Sequence, residues 1–307
     1  MKKRVLITGA CGFVGRYFCE YLDGLEDRPV VIGTDIIDCE SKFCDLFYKL
    51  DLSSSKNAGE LISKSRPDFV IHFAGTFGTD DAQEIFRVNV LSASAILEAI
   101  RIYKSDAVVI MAGSAAEYGR AAPEQLPETE QMPCQPVTAY GLSKLLATQV
   151  SLYYHKLYGL AVMIVRPFQL IGKGVTARLA PGAFVEQINK AISEKTNIIK
   201  VGNLESSRDF LDVRDAVAAT WMLCQKPQAG EIFNICSGSP VRIRDLLEMM
   251  IKESGAQLKV EIDPARLRGK ADVNQIYGSY QKLHHHCGWC PTISLSESVK
   301  MMLDNDA

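Results

Sequence analysis

Short apolar runs alternate along the chain with longer stretches in which apolar residues recur at helical spacing. The short runs are rich in β-branched residues, as is typical of buried parallel strands, and the longer stretches indicate amphipathic helices. Parallel strands joined by helices form a doubly wound sheet through right-handed crossovers. The pattern predicts strands at 4–8, 30–34, 69–73, 108–111 and 162–165, and helices at 13–25, 88–103 and 143–158.

The pattern loosens after about Pro167, where glycine and proline punctuate 172–182. Further segments at 215–224 and 232–236 indicate a return to the sheet, and a small helical and mixed region follows from Ile243. The fold class is therefore α/β, with a doubly wound parallel sheet of the Rossmann type. We expect a larger domain at 1–167 with returning segments near 210–236, and a smaller interleaved C-terminal region at 168–307.

The bulk composition limits the partners of the chain. It has 307 residues, 47% of them hydrophobic, and a formal net charge of -2. This balance does not favour nucleic acid, so phosphate groups would have to be met by local arginines. No run approaches the roughly 18 apolar residues of a membrane helix, and the apolar start is too short for a secretion signal. The nine cysteines are scattered, so we expect reduced thiols in a cytoplasmic protein rather than a disulfide framework.

Three glycines follow the first predicted strand. Gly9 permits a tight turn, Gly12 permits close approach to a pyrophosphate, and Gly15 lets the helix sit near the strand. The pyrophosphate would face the helix N-terminus at Phe13 and Val14, where free N–H groups and the helix dipole favour negative charge. The position of this motif, between a strand and a helix, makes a dinucleotide site a stronger interpretation than a plain turn.

Asp35 and Ile36 follow the second predicted strand. A carboxylate at this place accepts hydrogen bonds from the ribose hydroxyls and repels a 2′-phosphate. No arginine follows within several residues to hold such a phosphate. The sequence therefore favours NAD(H) as the cofactor and leaves NADP(H) open, and a solvated turn aspartate is the alternative interpretation.

Tyr140 and Lys144 are four residues apart, which places both on one face of a helix. A nearby ammonium favours the tyrosinate, so the pair is predicted to exchange a proton with a carbinol or carbonyl oxygen near neutral pH. Ser114 follows the strand at 108–111, at the edge of the sheet where ligands bind. We therefore expect Ser114, Tyr140 and Lys144 to be catalytic, and Ser114 also to contact the substrate.

Several motifs together resemble those of the extended short-chain dehydrogenases/reductases, the NAD-dependent epimerase/dehydratase family. They are the glycine motif, the segment 72–75, Ser114, the Tyr140–Lys144 pair and the segments 166–172 and 208–215. The resemblance covers essentially the whole chain. It implies that Lys144 also holds the nicotinamide ribose. It further implies that Asp51 and Leu52 lie at the adenine of the cofactor. Phe73, Ala74 and Gly75 would lie beside its phosphates and ribose, and Pro167 and Phe168 behind the nicotinamide.

The resemblance leaves reductase, epimerase and 4,6-dehydratase chemistry open. In the dehydratases, carboxylates sit just after the catalytic hydroxyl. Here Ala115 and Ala116 occupy those places and Glu117 falls one place later, which argues against a dehydratase. A nucleotide-sugar 4-ketoreductase is the leading hypothesis. An epimerase with tightly bound NAD is the alternative, and a non-catalytic NAD-binding regulator is a third that the intact triad disfavours.

The C-terminal half is most similar to the GDP-mannose branch of this family, the GDP-4-keto-6-deoxy-D-mannose reductases, which yield GDP-D-rhamnose. The similarity implies that Gln169 and Val201 contact the nucleotide sugar and that Arg208 and Arg268 grip its diphosphate, which a guanidinium fork suits. Two departures leave the sugar and the base open. Gln169 stands where many relatives have asparagine, and Gly269-Lys270 follows Arg268.

Two further expectations concern metals and assembly. The run 284–290 is rich in histidine and cysteine, but adjacent helical residues point in different directions, so we expect no metal. In the family that the chain resembles, the outer faces of the helices at 88–103 and 143–158 form a dimer. The resemblance therefore implies a homodimer.

Overall fold

The computed structural model describes residues 2–38, 42–266 and 273–304. Its centre is a seven-stranded sheet in the order β3-β2-β1-β4-β5-β6-β10, and all neighbouring strands are parallel. The α/β prediction with a doubly wound parallel sheet is confirmed. The strands are β1 (Arg4–Thr8), β2 (Val30–Asp35), β3 (Leu46–Lys49), β4 (Phe69–His72), β5 (Val108–Ala112), β6 (Val162–Pro167) and β10 (Ile232–Ile235).

Helices cover both faces of this sheet because nearly all the side chains of its inner strands are buried. On one face, α1 and α7 share a hydrophobic core with β1, β4 and β6. On the other face, α2, α4 and α5 pack over the same strands. These helices are α1 (Phe13–Asp23), α2 (Ser55–Ser65), α3 (Ala82–Phe86), α4 (Ser92–Ile102), α5 (Ala139–Tyr158) and α7 (Val213–Gln225).

The strand order reverses between β1 and β4. The chain runs from β1 outward to β2 and β3, and from β4 outward in the other direction to β5 and β6. In open sheets of this kind, ligands bind in the crevice beyond the carboxyl ends of the strands at such a switch point. The glycine motif after β1, the segment 73–75 after β4 and Ser114 after β5 all meet at this edge.

The C-terminal part forms two smaller sheets around a third hydrophobic core. One sheet joins β7, β9, β11 and β13, and the other pairs β8 with β12. The helices α6, α8 and α10 contribute to the same core. The bounds are β7 (Gln169–Ile171), α6 (Ala180–Glu194), β8 (Ile198–Val201), β9 (Ser207–Asp212), β11 (Pro240–Arg242), α8 (Ile243–Ser254), β12 (Lys259–Ile262), β13 (Gln275–Ile276), α9 (Gln281–Cys287) and α10 (Leu295–Leu303).

The structure corrects three expectations. The helix predicted at 88–103 is preceded by α3 and by a π-helical turn, Arg87–Leu91, before α4 begins. The strand β3 and the helix α2 had no predicted counterpart. Cys11 is disulfide-bonded, so the expectation of reduced thiols is wrong there, whereas seven other cysteines are free. In the described parts of the chain, no helix combines the length and apolar character needed to cross a membrane.

Candidate active site

The turn between β1 and α1 lies directly against the segment that follows β4. Gly9 has a φ of +69°, and a methyl group there would lie 2.9 Å from the Ala74 nitrogen. A methyl group at Gly15 would lie 2.1 Å from the Gly9 carbonyl oxygen. Both positions therefore require glycine, as the sequence predicts. The result is a shallow main-chain cradle at the switch point of the sheet.

The N-terminus of α1 opens into this cradle. Gly12 is the N-cap residue and has no side chain to cap the helix, so the N–H groups of the first turn, including those of Phe13 and Val14, are available to an anion. Uncapped N–H groups and the helix dipole favour a pyrophosphate. The residues present therefore fit the dinucleotide that the sequence predicts.

Asp35 ends β2 beside this cradle. One of its carboxylate oxygens accepts the Cys11 N–H at 3.0 Å, and the other accepts the Ile36 N–H at 2.8 Å. The half-buried carboxylate is thus held by main-chain donors of the glycine loop and of its own loop. Its negative charge lies at the rim where a ribose would sit.

Asp51 and Leu52 follow β3 and lie farther along the same edge. Asp51 accepts the Ser53 N–H and pairs with Arg87 at 2.9 Å, while Leu52 is buried in the second core. The pKa of the Asp51 carboxyl lies below its ordinary value: burial opposes this shift, but Ser53 and Arg87 outweigh it. An assignment to the adenine remains a prediction for both residues.

Ser114 and Tyr140 are brought together by a tight contact between two turns. Ser114 begins a short 3-10 turn, and its hydroxyl oxygen accepts the Ala116 N–H at 3.1 Å. Tyr140 lies in the first turn of α5, and a methyl group at the next residue, Gly141, would lie only 2.4 Å from the Ala116 carbonyl oxygen. The Ser114 hydroxyl interacts with that of Tyr140 and favours its ionised form.

Lys144 lies one turn after Tyr140 and is buried. Its Nζ donates a hydrogen bond to the Ala112 carbonyl at 2.9 Å. Burial lowers the pKa of this ammonium to about 8, with the charge of Glu117 acting in the opposite direction. The tyrosine–lysine pair is therefore built as the spacing predicts.

Our expectation that the ammonium would lower the Tyr140 pKa is wrong for the protein alone. Burial raises the pKa of Tyr140 above its ordinary value, Ser114 lowers it, and Glu117 raises it further. Because desolvation disfavours the tyrosinate, the hydroxyl stays protonated at neutral pH. A protonated hydroxyl is the form that donates a proton.

Gly75 and Asn89 complete the surroundings of Lys144. A methyl group at Gly75 would lie 3.2 Å from the lysine Nζ. Asn89 in the π-helical turn binds both main-chain groups of Thr76 and donates to the Ser143 hydroxyl at 2.8 Å. The loop after β4 is thereby fixed against α5. An asparagine within an apolar helical run is the sequence signal that could have indicated this role.

Phe77 in the same loop is a second residue that sequence reasoning missed. Its ring contacts that of Tyr140 edge-on, with a centroid distance of 5.8 Å, and it is 42% exposed. It therefore forms part of the wall of the cleft above the tyrosine. No pattern in the sequence distinguishes this phenylalanine from a core residue.

Pro167 ends β6 and Phe168 follows it, at the next strand end along the edge. Phe168 is buried beside Tyr118, with a ring-centroid distance of 6.3 Å. Phe73 follows β4, the middle strand of the sheet, and its ring lies edge-on to that of Phe18. Their roles beside the cofactor remain predictions.

The four predicted substrate residues other than Ser114 have different surroundings. Gln169 begins β7, and Arg208 lies in β9 with its Nη1 donating to the Ser207 carbonyl at 2.8 Å. The Val201 side chain is buried in the third core, so it does not itself line a cleft. Arg268 lies outside the described residues.

Two of the three histidines at 284–286 are engaged with main-chain carbonyls. His284 Nδ1 is 3.0 Å from the Trp289 oxygen, and His286 Nε2 is 2.7 Å from the Lys226 oxygen. Within 2–38, 42–266 and 273–304, no three His, Cys, Asp or Glu side chains cluster in a way that could hold a metal.

Comparison with known proteins identifies the family of this site. Residues 5–236 match the profile of the NAD dependent epimerase/dehydratase family. The chain belongs to that family. Its cofactor is therefore NAD(P), and it is an enzyme of the oxidoreductase/epimerase class, as predicted.

Individual relatives agree with this assignment. GDP-6-deoxy-D-mannose reductase of Pseudomonas aeruginosa is 29% identical over 99% of this chain and 97% of its own. The structure of RMD from Pseudomonas aeruginosa complexed with NADPH has a TM-score of 0.86 at 28% identity, with 98% of both chains covered. A putative UDP-glucose 4-epimerase of Methanocaldococcus jannaschii is 28% identical over 98% of this chain and 97% of its own.

Proposed function

We propose that this protein is an NAD(H)-dependent 4-ketoreductase of a nucleotide sugar, and that it reduces GDP-4-keto-6-deoxy-D-mannose to GDP-D-rhamnose. The observation that carries the proposal is the Ser114–Tyr140 pair at the sheet edge, beside which none of the described residues offers a free acid. Ala115 and Ala116 cannot transfer protons, and the Glu117 carboxylate is buried in an ion pair with Arg166. The site supports proton donation to one oxygen but not elimination of water.

The relatives support the choice of substrate class. The similarity to the Pseudomonas aeruginosa reductase runs through both the cofactor half and the C-terminal half. Arg208 on β9 offers a guanidinium near the cleft, where a diphosphate would need a cation. Gln169 at the start of β7 offers a polar side chain one strand away.

The chain's own residues would act on the substrate oxygen. When bound, the reduced nicotinamide supplies the hydride. Ser114 hydrogen-bonds the keto oxygen and orients it, and Tyr140 donates a proton as negative charge develops there. Lys144, buried between the Ala112 carbonyl and Gly75, would hold the ribose of the cofactor next to Tyr140.

Asp35 supports NAD(H) as the preferred cofactor. Its carboxylate is fixed at the rim of the cradle by main-chain donors, where it would repel a 2′-phosphate. RMD from Pseudomonas aeruginosa has been solved with NADPH. The preference is therefore a property to be measured on this chain.

The epimerase is the second candidate, supported by the 28% identity to a putative UDP-glucose 4-epimerase. The same residues would serve it, but an epimerase keeps its NAD bound whereas a reductase exchanges it each turnover. A non-catalytic regulator would have no need of the intact Ser114, Tyr140 and Lys144.

A substrate panel separates these candidates. The protein is incubated with NADH and 4-keto-6-deoxy sugars linked to GDP, UDP or dTDP, and the loss of NADH absorbance is followed. We expect the fastest loss with the GDP sugar. An epimerase would instead interconvert sugars without consuming NADH and would release NAD on denaturation. Absence of both activities would leave the regulator.

We further propose that the enzyme is a homodimer. Large apolar side chains lie exposed along the π-helical turn, α4 and α5, a pattern that marks an interaction surface. Light scattering should give twice the chain mass, and Leu146→Glu should give the monomer. The exposed residues are Leu91, Ile102, Leu142, Leu146, Tyr153 and Leu157.

A further inference from the structure

The Glu117 carboxylate lies at the centre of a buried polar network beneath Ser114. The residue is 0% exposed, and the side chain of its partner Arg166 is 3% exposed. One oxygen accepts the Ser114 N–H at 2.9 Å, and the other accepts the Thr148 hydroxyl at 3.0 Å and the Arg166 guanidinium at 2.9 Å. A buried ion pair is weak evidence for a stabilising role, because desolvation offsets the attraction between the two charges. A role of Glu117 in the site is therefore the better explanation for this pair.

This one carboxylate joins three elements that carry the reaction. Ser114 follows β5 and contacts the substrate oxygen in the proposed reaction. Thr148 lies on α5, one turn beyond Lys144, and Arg166 stands on β6 immediately before Pro167. Any displacement of the carboxylate therefore changes the position of the serine relative to the tyrosine–lysine helix.

The surroundings fit a carboxylate of this length. A methyl group at Gly113 would lie 2.3 Å from the Glu117 Oε1, so the glycine leaves room for that oxygen. The Arg166 guanidinium lies over the Tyr118 ring at 4.7 Å, and the Tyr118 hydroxyl donates to Asn234 at 2.7 Å. The network is thus closed on every side that the structure describes.

We propose that Glu117 is a positioning residue of the catalytic centre, which fixes the Ser114 main chain and α5 in one frame and sets the electrostatic field at Tyr140 and Lys144. The inference rests on the proposed reduction, since it concerns the same site. It also gives a physical reason why the carboxylate does not act as an acid on the substrate.

The charge of Glu117 acts on titratable groups of several elements. It raises the pKa of Tyr140 because it repels a tyrosinate, and it raises the pKa of Lys144 because it attracts an ammonium. Removing the charge should therefore lower both. The charged or titratable groups that it faces are Tyr140 and Lys144 on α5, Arg166 on β6, and Cys134 in the loop before α5.

Two variants separate the effect of the Glu117 charge from the effect of its side-chain length. Glu117→Gln combined with Arg166→Gln removes both charges, leaves no unpaired buried ion and keeps the length of the side chain at 117. Glu117→Asp keeps the charge but is too short to hold the Ser114 N–H and Arg166 together. Glu231→Gln is the matched control, because it breaks a half-exposed ion pair with Lys282. Glu231 directly precedes β10, at the opposite end of that strand from the site.

We expect Glu117→Asp to lower kcat by about 10- to 100-fold, since small misplacements of catalytic groups have effects of that order, with KM for the sugar nearly unchanged. The double glutamine variant should shift the alkaline limb of the pH–rate profile to lower pH. Glu231→Gln should do neither. Wild-type kcat and an unmoved profile in both folded variants would overturn the proposal.

A substrate-free measurement keeps this test apart from that of the proposed function. The tyrosinate absorbance of NAD⁺-saturated protein is titrated, and subtraction of the Tyr140→Phe protein isolates one of 11 tyrosines. The Tyr140 titration should move to lower pH in the double variant and stay in place in Glu231→Gln. If the wild type reduces no keto sugar, the proposed function fails while this titration still decides the role of Glu117. If neither variant folds, an unchanged kcat and unchanged titration in Thr148→Val would overturn it.

Discussion

The proposed catalytic groups after β5 and on α5 are fixed by buried side chains, whereas the candidate substrate groups of β7 and β9 are fixed through the main chain. Lys144 and Arg166 are themselves buried and hydrogen-bonded. On β9, it is the neighbour of Arg208, the buried Asp209, that accepts N–H groups of Ser237, Gly238 and Gly278. The arginine itself stays half-buried.

This difference suits the two roles that we propose for these regions, proton transfer in the first and substrate recognition in the second. Proton transfer needs side-chain atoms at set positions, and the buried network supplies them. Recognition of a nucleotide diphosphate needs a cation on a stable frame, and Asp209 provides such a frame next to the proposed ligand Arg208. Damage to the first region should therefore lower kcat, and damage to the second should raise KM.

The largest expected effect tests the catalytic region. Tyr140→Phe removes the proton donor and should lower kcat by about 10²–10⁴-fold, the usual contribution of general acid catalysis. NADH binding should be nearly intact, whereas Lys144→Ala should damage both. Stopped-flow kinetics and NADH titration measure the two quantities. Near-normal turnover in the phenylalanine variant would mean that the proton comes from elsewhere.

The next largest effect tests the substrate region. Arg208→Ala should chiefly weaken substrate binding, since a hydrogen bond to a charged group is worth about 1.5–3 kcal/mol. This corresponds to about a tenfold or larger rise in KM with kcat less affected. Arg242→Ala, on the surface strand β11 beside β9, is the control. An unchanged KM for the nucleotide sugar would remove Arg208 from the site.

A smaller effect concerns the cofactor. Asp35→Ala should weaken NADH binding and narrow the preference for NADH over NADPH. The substitution removes both the charge that repels a 2′-phosphate and the acceptor for the ribose hydroxyls. Fluorescence titration with the two cofactors measures it. Tighter NADPH than NADH binding by the unmutated protein would contradict the assignment of Asp35.

The smallest effect on activity is expected at Glu128, which lies between the two regions. Its carboxyl is buried with no hydrogen-bond partner among the described residues, and burial, assisted by the charge of Asp209, raises its pKa to about 8. The folded protein then binds a proton that the unfolded chain releases above pH 4.5. Its contribution to stability is complete below that pH and is lost as pH rises towards 8.

Glu128→Gln should therefore flatten the fall in Tm across this pH window and leave kcat nearly unchanged. The exposed Glu124→Gln serves as the control. A Tm profile identical to that of the wild type would mean that Glu128 is not protonated in the folded protein.

Much of the fold follows from local pattern, and the misses have physical causes. β1, β5 and β6 were predictable because buried parallel strands form continuous apolar runs. The strand β3 was missed because it is an edge strand with a half-exposed, mixed sequence, Leu46–Lys49. Ser114, Tyr140 and Lys144 could be proposed as catalytic from the sequence because their spacing suits the chemistry.

The buried residues that support the site, such as Glu117, could not be found in this way. Glu117 contacts Thr148 and Arg166 across 31 and 49 residues of sequence. Only the packing of α5 and β6 onto β5 brings them together, and a carboxylate after a strand looks the same whether it faces solvent or a buried guanidinium. The shift of the Tyr140 pKa was likewise mispredicted, because burial outweighs the effects of neighbouring groups.

The central claim is hydride transfer to a sugar carbon with Tyr140 as the proton donor, and isotope transfer tests it most directly. The protein is incubated with GDP-4-keto-6-deoxy-D-mannose and NADH that carries deuterium at the transferable position, and the product is examined by NMR and mass spectrometry. We expect one deuterium at C4 of the sugar for each NADH oxidised, and a rate that falls with Tyr140→Phe. Product without deuterium, or NADH left unconsumed while the sugar is converted, would contradict it.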